Sequence, residues 1–144
     1  MARTFTLIEK TVAFTVPLVP PSVNHMYRIV YYRAKNGQAV KGRKLTKAAE
    51  AFRFAVGLFA QGRTVAPATD KERLKVRYEV RVTVYLGPRQ RGDADNFLKA
   101  AQDALEACGV IHSDAYVYES KAIVVKDERH NPRTEFVVTR LERE

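Results

Sequence analysis

Val76-Arg77-Tyr78-Glu79-Val80-Arg81-Val82-Thr83-Val84-Tyr85-Leu86 alternates without a break. Val76, Tyr78, Val80, Val82, Val84 and Leu86 point one way, with Arg77, Glu79, Arg81, Thr83 and Tyr85 between them. That is the period of two expected of a strand with one buried face. Gly87-Pro88 breaks it and leads into Arg89-Gln90-Arg91-Gly92-Asp93-Ala94-Asp95-Asn96. From near Asp95 the period changes to that of a helix, which carries Phe97, Leu98, Ala101, Ala104, Leu105 and Cys108 toward the core. Gly109 ends it, and after Val110–Asp114 two further strands follow, about Tyr116–Lys126 and Thr134–Leu141. The polar turn Asp127–Arg133 joins them.

Upstream, Val12, Phe14 and Val16 alternate with Ala13 and Thr15 as a first strand. Pro17, Pro20 and Pro21 stop it and force an extended turn through Ser22-Val23-Asn24. Ile29–Ala34 and Gln38–Lys41 flank Asn36-Gly37, a pair that tolerates the positive φ of a tight hairpin turn. Leu45, Ala48, Ala49, Phe52, Ala55, Val56 and Phe59 then recur at helical spacing. They predict a first helix over Thr46–Gln61, stopped at Gly62, with Gly62–Asp70 a loop. The order strand, hairpin, helix, strand, helix, strand, strand is that of one α+β domain over residues 1–144, with two helices on one face of a sheet.

Composition limits what such a domain does. Its 144 residues are 46% hydrophobic, which specifies a folded chain rather than a disordered one. One cysteine, Cys108, excludes an internal disulfide framework and a multi-cysteine zinc cluster. Glu9 and Lys10 stand where an export signal needs an apolar core, and no apolar run is long enough to cross a bilayer, so a cytoplasmic protein is expected. Lys plus Arg number 25 against 16 acids, for a net charge of +9. Eight of the cations fall between Lys10 and Ala49, where there is no Asp or Glu. Such a one-signed stretch attracts a polyanion and releases its counterions, which points to nucleic acid. Tyr27, Tyr31 and Tyr32 interleave with Arg28, Arg33, Lys35, Lys41, Arg43 and Lys44 in the hairpin. Aromatic faces among cations suit bases and phosphates, although tyrosine is also an ordinary strand former.

The chemistry centres on Asp93-x-Asp95, between a strand end and a helix start. Two readings stand for this pair. Asp at a helix start caps free N–H groups, whereas two carboxylates two residues apart converge on one hard cation such as Mg²⁺ or Mn²⁺. A divalent ion bridging carboxylate and phosphate explains acidic ligands in a basic protein. Asp114, just beyond the same helix, is placed by its position to join the pair without being compelled to. Lys99, one turn after Asp95, is placed either to hold a scissile phosphate or to pair with Asp103. Cys108 reads as a small core residue with no partner base. His112, alone in a loop, carries no chemistry by itself.

The run Arg91-Gly92-Asp93-Ala94-Asp95-Asn96-Phe97-Leu98-Lys99-Ala100-Ala101-Gln102-Asp103-Ala104-Leu105, followed by Gly109-Val110-Ile111-His112-Ser113-Asp114, resembles the RusA family of Holliday junction resolvases. That family has an Asp-x-Asp-Asn motif, a Lys four residues past the second Asp, and a third Asp after the helix. Asp93, Asp95, Lys99 and Asp114 fill these positions. Pro20-Pro21-Ser22-Val23-Asn24-His25-Met26-Tyr27-Arg28 resembles the family's proline-rich start, and Lys35–Asp70 is the least similar part. Where relatives often carry an acidic pair, this chain has Ser113-Asp114.

The resemblance implies a homodimer of two-layer α+β subunits, each a mixed sheet with two helices on one face. It implies nicking of four-way DNA junctions in two strands with Mg²⁺ or Mn²⁺, and a role in recombination or phage DNA processing. Asp93, Asp95 and Asp114 are then the metal ligands, and Lys99 the charge beside the phosphorane. Asn24, Arg28, Lys41, Arg43, Lys44, Arg89 and Arg91 are the expected DNA contacts. Two rivals differ in class. A non-catalytic nucleic-acid-binding domain with Asp93 and Asp95 as helix caps would bind DNA without regard to metal. A nucleotide-sugar transferase also uses Asp-x-Asp but needs a larger nucleotide-binding domain than this chain has room for.

Overall fold

Proline sets the first boundary of the fold, seen in a computed structural model that describes residues 5–126 and 131–143. β1 (Phe5–Val16) ends at the residue before Pro17, whose ring cannot donate to a ladder. A 3₁₀ turn at Val23–His25 follows, then β2 (Tyr27–Arg33) and β3 (Ala39–Leu45), joined through Asn36-Gly37 with Gly37 at φ 82°. Next come α1 (Lys47–Ala60), the single turn α2 (Asp70–Arg73), β4 (Val76–Leu86) and α3 (Ala94–Ala107). A second 3₁₀ turn at Asp114–Tyr116 leads to β5 (Val117–Lys126), and β6 (Arg133–Arg143) closes the order. The expected turn Asp127–Arg133 lies largely outside the described residues.

Four strands form one mixed sheet in the order β1-β6-β4-β5, with β4 and β5 parallel and the other pairs antiparallel. A parallel neighbour requires a crossover, and α3 supplies it. β2 and β3 pair only with each other among the described residues, as a separate two-stranded ribbon. The α+β sandwich with two long helices over a mixed sheet is therefore as expected from the sequence.

The six apolar residues named in β4 are all buried. They meet Phe52 and Val56 of α1 and Phe97, Ala101, Ala104 and Leu105 of α3 in one core. Phe14 and Phe136, register partners on β1 and β6, stack with centroids 5.0 Å apart, and Phe52 lies 6.3 Å from Phe136.

Thr46 caps α1 by accepting the Ala49 N–H at 3.2 Å, and the helix ends at Gln61 in the left-handed region. Two of its expected core residues are displaced. Ala48 and Phe59 are exposed, and the buried stripe is Ala49, Phe52, Ala55, Val56 and Ala60. Both fall within the same arc by helical spacing but in the terminal turns of α1, Ala48 in the first and Phe59 in the last. The loop after α1 is tied down where α3 ends: Val65 N–H donates to the Val110 carbonyl at 2.9 Å and the Thr64 hydroxyl to the Gly109 carbonyl at 2.6 Å. Thr134, fully buried, donates its hydroxyl to the Leu18 carbonyl at 2.7 Å and so anchors the proline segment.

Phe136→Ala empties the middle of the three-ring cluster and is expected to cost about 3–5 kcal/mol in urea unfolding. Val137→Ala, its neighbour on the open face of the sheet, should cost under about 1 kcal/mol by the same measurement.

Candidate active site

The residues after β4 are held by two close approaches. The Gly87 N–H donates to Gln90 Oε1 at 2.9 Å, which closes the turn carrying Pro88 and Arg89. Gly92 then takes φ 155°, and a β-carbon there would overlap the Phe97 ring. Phe97 is buried, so seating its ring against Gly92 fixes where α3 starts. Asp93 is the N-cap by backbone geometry, yet its side chain makes no capping hydrogen bond. Thr46 and Thr69, at the same position of α1 and α2, both do. The Asp93 and Asp95 carboxylates are left exposed at the head of α3.

Further along the same helix face, Lys99 Nζ donates to Asp103 Oδ1 at 3.0 Å and lies 3.8 Å from Asp114 Oδ2. Of the two roles open to Lys99, the pairing with Asp103 is the one formed, and Asp114 reaches it from the 3₁₀ turn. The Asp103 hydrogen bond raises the Lys99 pKa above the ordinary lysine value, and the charges of Asp103 and Asp114 add to this against partial burial. Lys99 is therefore a fixed positive charge near neutrality and no proton acceptor. Carboxylate oxygens of Asp103, Glu106 and Asp114 lie within 4.8 Å of one another. The structure brings Asp114 to this group and not to within that distance of both Asp93 and Asp95. The reason is the length of the helix: eight residues at ~1.5 Å each separate Asp95 from Asp103.

Two anchors hold Asp114. Ser113, where relatives often carry an acid, accepts the Ala115 N–H at 3.2 Å and caps the turn. His112 Nδ1 meets the hydroxyl of buried Tyr78 at 2.5 Å. Burial lowers the His112 pKa and raises that of Tyr78, so this hydrogen bond joins a neutral imidazole and a neutral phenol. This makes His112 a structural tie. Cys108, its pKa raised by burial, donates Sγ–H to the Arg53 carbonyl at 3.2 Å and packs beside Gly57, in keeping with a core role.

A groove of about 340 Å³ runs over Lys99, Asp103, Glu106 and Asp114, walled by Tyr27 and Arg53. The expected DNA contacts divide around it. Arg89 and Arg91 are exposed on the loop before Asp93, and Arg91 shares a depression with Pro20, Pro21 and Phe97. Asn24 is exposed in the 3₁₀ turn between the proline segment and β2. Arg43 stacks over Tyr27 at 4.5 Å and so stands at the groove, with Lys41 on the same face of the ribbon. Arg28 and Lys44, opposite one another in register, take the other face.

Glu106 and Arg53 line the groove without being singled out by the sequence, whereas Tyr27 is one of the hairpin aromatics named there. Glu106 carried a signal: Asp95, Lys99, Asp103 and Glu106 follow helical spacing along one face. Hard carboxylate oxygens suit a hard divalent ion. Asp93 and Asp95 offer theirs uncommitted, whereas Asp103 and Asp114 already face the Lys99 ammonium. Asp103→Asn removes the largest cause of the Lys99 shift. The pKa should fall toward the ordinary lysine value, followed by NMR titration of labelled lysine side chains.

Among the described residues no helix is long and apolar enough to cross a membrane. No curated protein matches the chain. The family model for endodeoxyribonuclease RusA matches residues 17–139, which takes in the proline segment, the ribbon, α3 and the turn bearing Asp114. Membership at this coverage carries the family's activity, endonucleolytic cleavage of DNA at Holliday junctions. The chain belongs to the RusA endodeoxyribonuclease family.

Proposed function

We propose that this protein is a metal-dependent, cytoplasmic Holliday junction resolvase that acts as a homodimer and cuts two strands symmetrically. Asp93, Asp95 and Asp114 are its metal ligands, for Mg²⁺ or Mn²⁺. The observation that carries this reading is the unspent carboxylate of Asp93, which sits at an N-cap without capping. That counts against the rival in which the acids serve only to cap α3. A bound divalent ion would polarise the scissile phosphodiester and promote attack by water. Lys99, charged at any physiological pH, neutralises the additional charge of the phosphorane. Asp103 positions Lys99. Asp114 would join Asp93 and Asp95 from the flank of α3, where it stands beside Asp103 and Glu106. Arg89, Arg91 and the ribbon cations hold the DNA backbone without reading sequence, with Asn24 beside them. A two-fold junction offers two equivalent strands to a two-fold dimer.

The test is nicking of a synthetic four-way junction with and without Mg²⁺. Asp93→Asn, Asp95→Asn and Asp114→Asn should each abolish or nearly abolish cleavage. Binding without metal should hold or tighten, because a negative charge facing phosphate is gone. Lys99→Ala should lose roughly 10²–10³-fold in rate with metal affinity unchanged. Asp103→Asn should keep most activity; a folded Asp103→Asn as inactive as Asp93→Asn would move the ligand assignment to the Asp103–Glu106–Asp114 group.

Salt should weaken junction binding steeply. With about 4–8 phosphates contacted, log K falls against log salt with a slope of roughly −4 to −7. Lys41, Arg43 and Lys44 changed together to Glu should flatten that slope, and an unchanged slope would remove the ribbon from the DNA interface.

A further inference from the structure

The ribbon of β2 and β3 has two unlike faces. Register partners share a face, so Tyr27/Leu45, Ile29/Arg43, Tyr31/Lys41 and Arg33/Ala39 form one, and Arg28/Lys44, Val30/Gly42 and Tyr32/Val40 the other. On the second face Tyr32 has a structural task. Its ring lies over Gly42, where a β-carbon would come within 2.9 Å of Cε1. On the first face Tyr27 is covered by the Arg43 guanidinium. Ile29 and Tyr31 have no such explanation, being 56% and 72% exposed on a ribbon that pairs with no other described strand.

Three features say what covers them. Each stands directly opposite a cation, Ile29 opposite Arg43 and Tyr31 opposite Lys41, with Arg33 next in line. Their row continues through Tyr27 into the groove over Lys99 and Asp114. Their spacing, two residues of a strand or ~7 Å, is about twice the ~3.4 Å rise per nucleotide of a duplex strand. One base fits between the two side chains while cations on the facing strand take the flanking phosphates. A continuous duplex offers no free base face; a branch point does.

We propose that Ile29 and Tyr31 form a stacking element that holds an unpaired base at the branch point of the substrate DNA, so that the protein distinguishes branched DNA from duplex. This rests on the nuclease reading above. Lys41 and Arg43 contact the backbone of either form, and Ile29 and Tyr31 reward only the form whose bases have come apart.

The test compares, in the full chain without divalent metal, affinities for a four-way junction and a duplex of the same arm sequence. A 2-aminopurine beside the crossover reports the base. Tyr31→Ala and Ile29→Ser should each weaken junction binding about tenfold, leave duplex binding within about twofold, and abolish the 2-aminopurine response. Tyr31→Phe should keep all three. Lys41→Ala should weaken both DNAs alike. A junction preference and 2-aminopurine response unchanged in Tyr31→Ala overturn the stacking element and leave the nuclease reading intact. Equal loss on junction and duplex also overturns it, as does a dimer that dissociates in Tyr31→Ala, which makes this face an interface between copies. Equal affinity of the unaltered protein for junction and duplex overturns this proposal together with the resolvase reading.

Discussion

Phe97 lies against Gly92, and the placement of the charged groups carried by α3 follows from that contact. The ring enters the core only because residue 92 has no side chain and adopts a backbone conformation that favours glycine. Once Phe97 is buried, the rotation of α3 is set, because Ala101, Ala104 and Leu105 must enter the core on the same face. Asp95, Lys99, Asp103 and Glu106 are then forced together along the opposite side. Asp93 falls at the head of the helix with its carboxylate uncommitted. Apolar burial on one side of α3 thus aligns the polar chemistry on the other.

Electrostatics makes that row unusual in this protein. The net charge is +9, yet three carboxylates, Asp103, Glu106 and Asp114, gather on the flank of α3, and two of them, Asp103 and Asp114, face the ammonium of Lys99. Such a concentration of one sign is costly unless something positive answers it. Lys99 does so in part, by the hydrogen bond to Asp103 and the approach to Asp114. The cations of the ribbon and of the loop after β4 surround these acids with the opposite sign of charge.

How legible this was differed from element to element. The alternation of β4 and the helical repeat of α3 were explicit, and the structure matches them because each has one face buried and the sequence period reports a buried face directly. Thr46 bounds α1 as expected, and the stop expected at Gly62 begins one residue earlier, with Gln61 and Gly62 both at positive φ. Phe59 is exposed although it falls within the apolar arc, because helical spacing does not say how far the packing partner extends beneath the last turn of the helix. The extension of β1 back to Phe5, far before Val12, was also missed: Phe5–Leu7 pair with Leu141–Arg143 across the sheet, and that partner is remote in sequence.

The sequence by itself determined the α+β order, the strand-to-helix junction that carries Asp93 and Asp95, the basic ribbon, and the motif by which the family is recognised. All of these are local: a period, a turn-forming pair, a spacing of two or four residues. Only the tertiary structure decided where Asp114 comes to rest. A crossover connection returns the chain to the start of the parallel neighbour, so Asp114 docks along the flank of α3 beside Lys99 and Asp103, with Glu106 added to the group. The split of the ribbon into a face with Tyr32 folded over Gly42 and a face with Ile29 and Tyr31 open was likewise decided by strand register. Register is a pairing between two segments, and neither segment carries it alone.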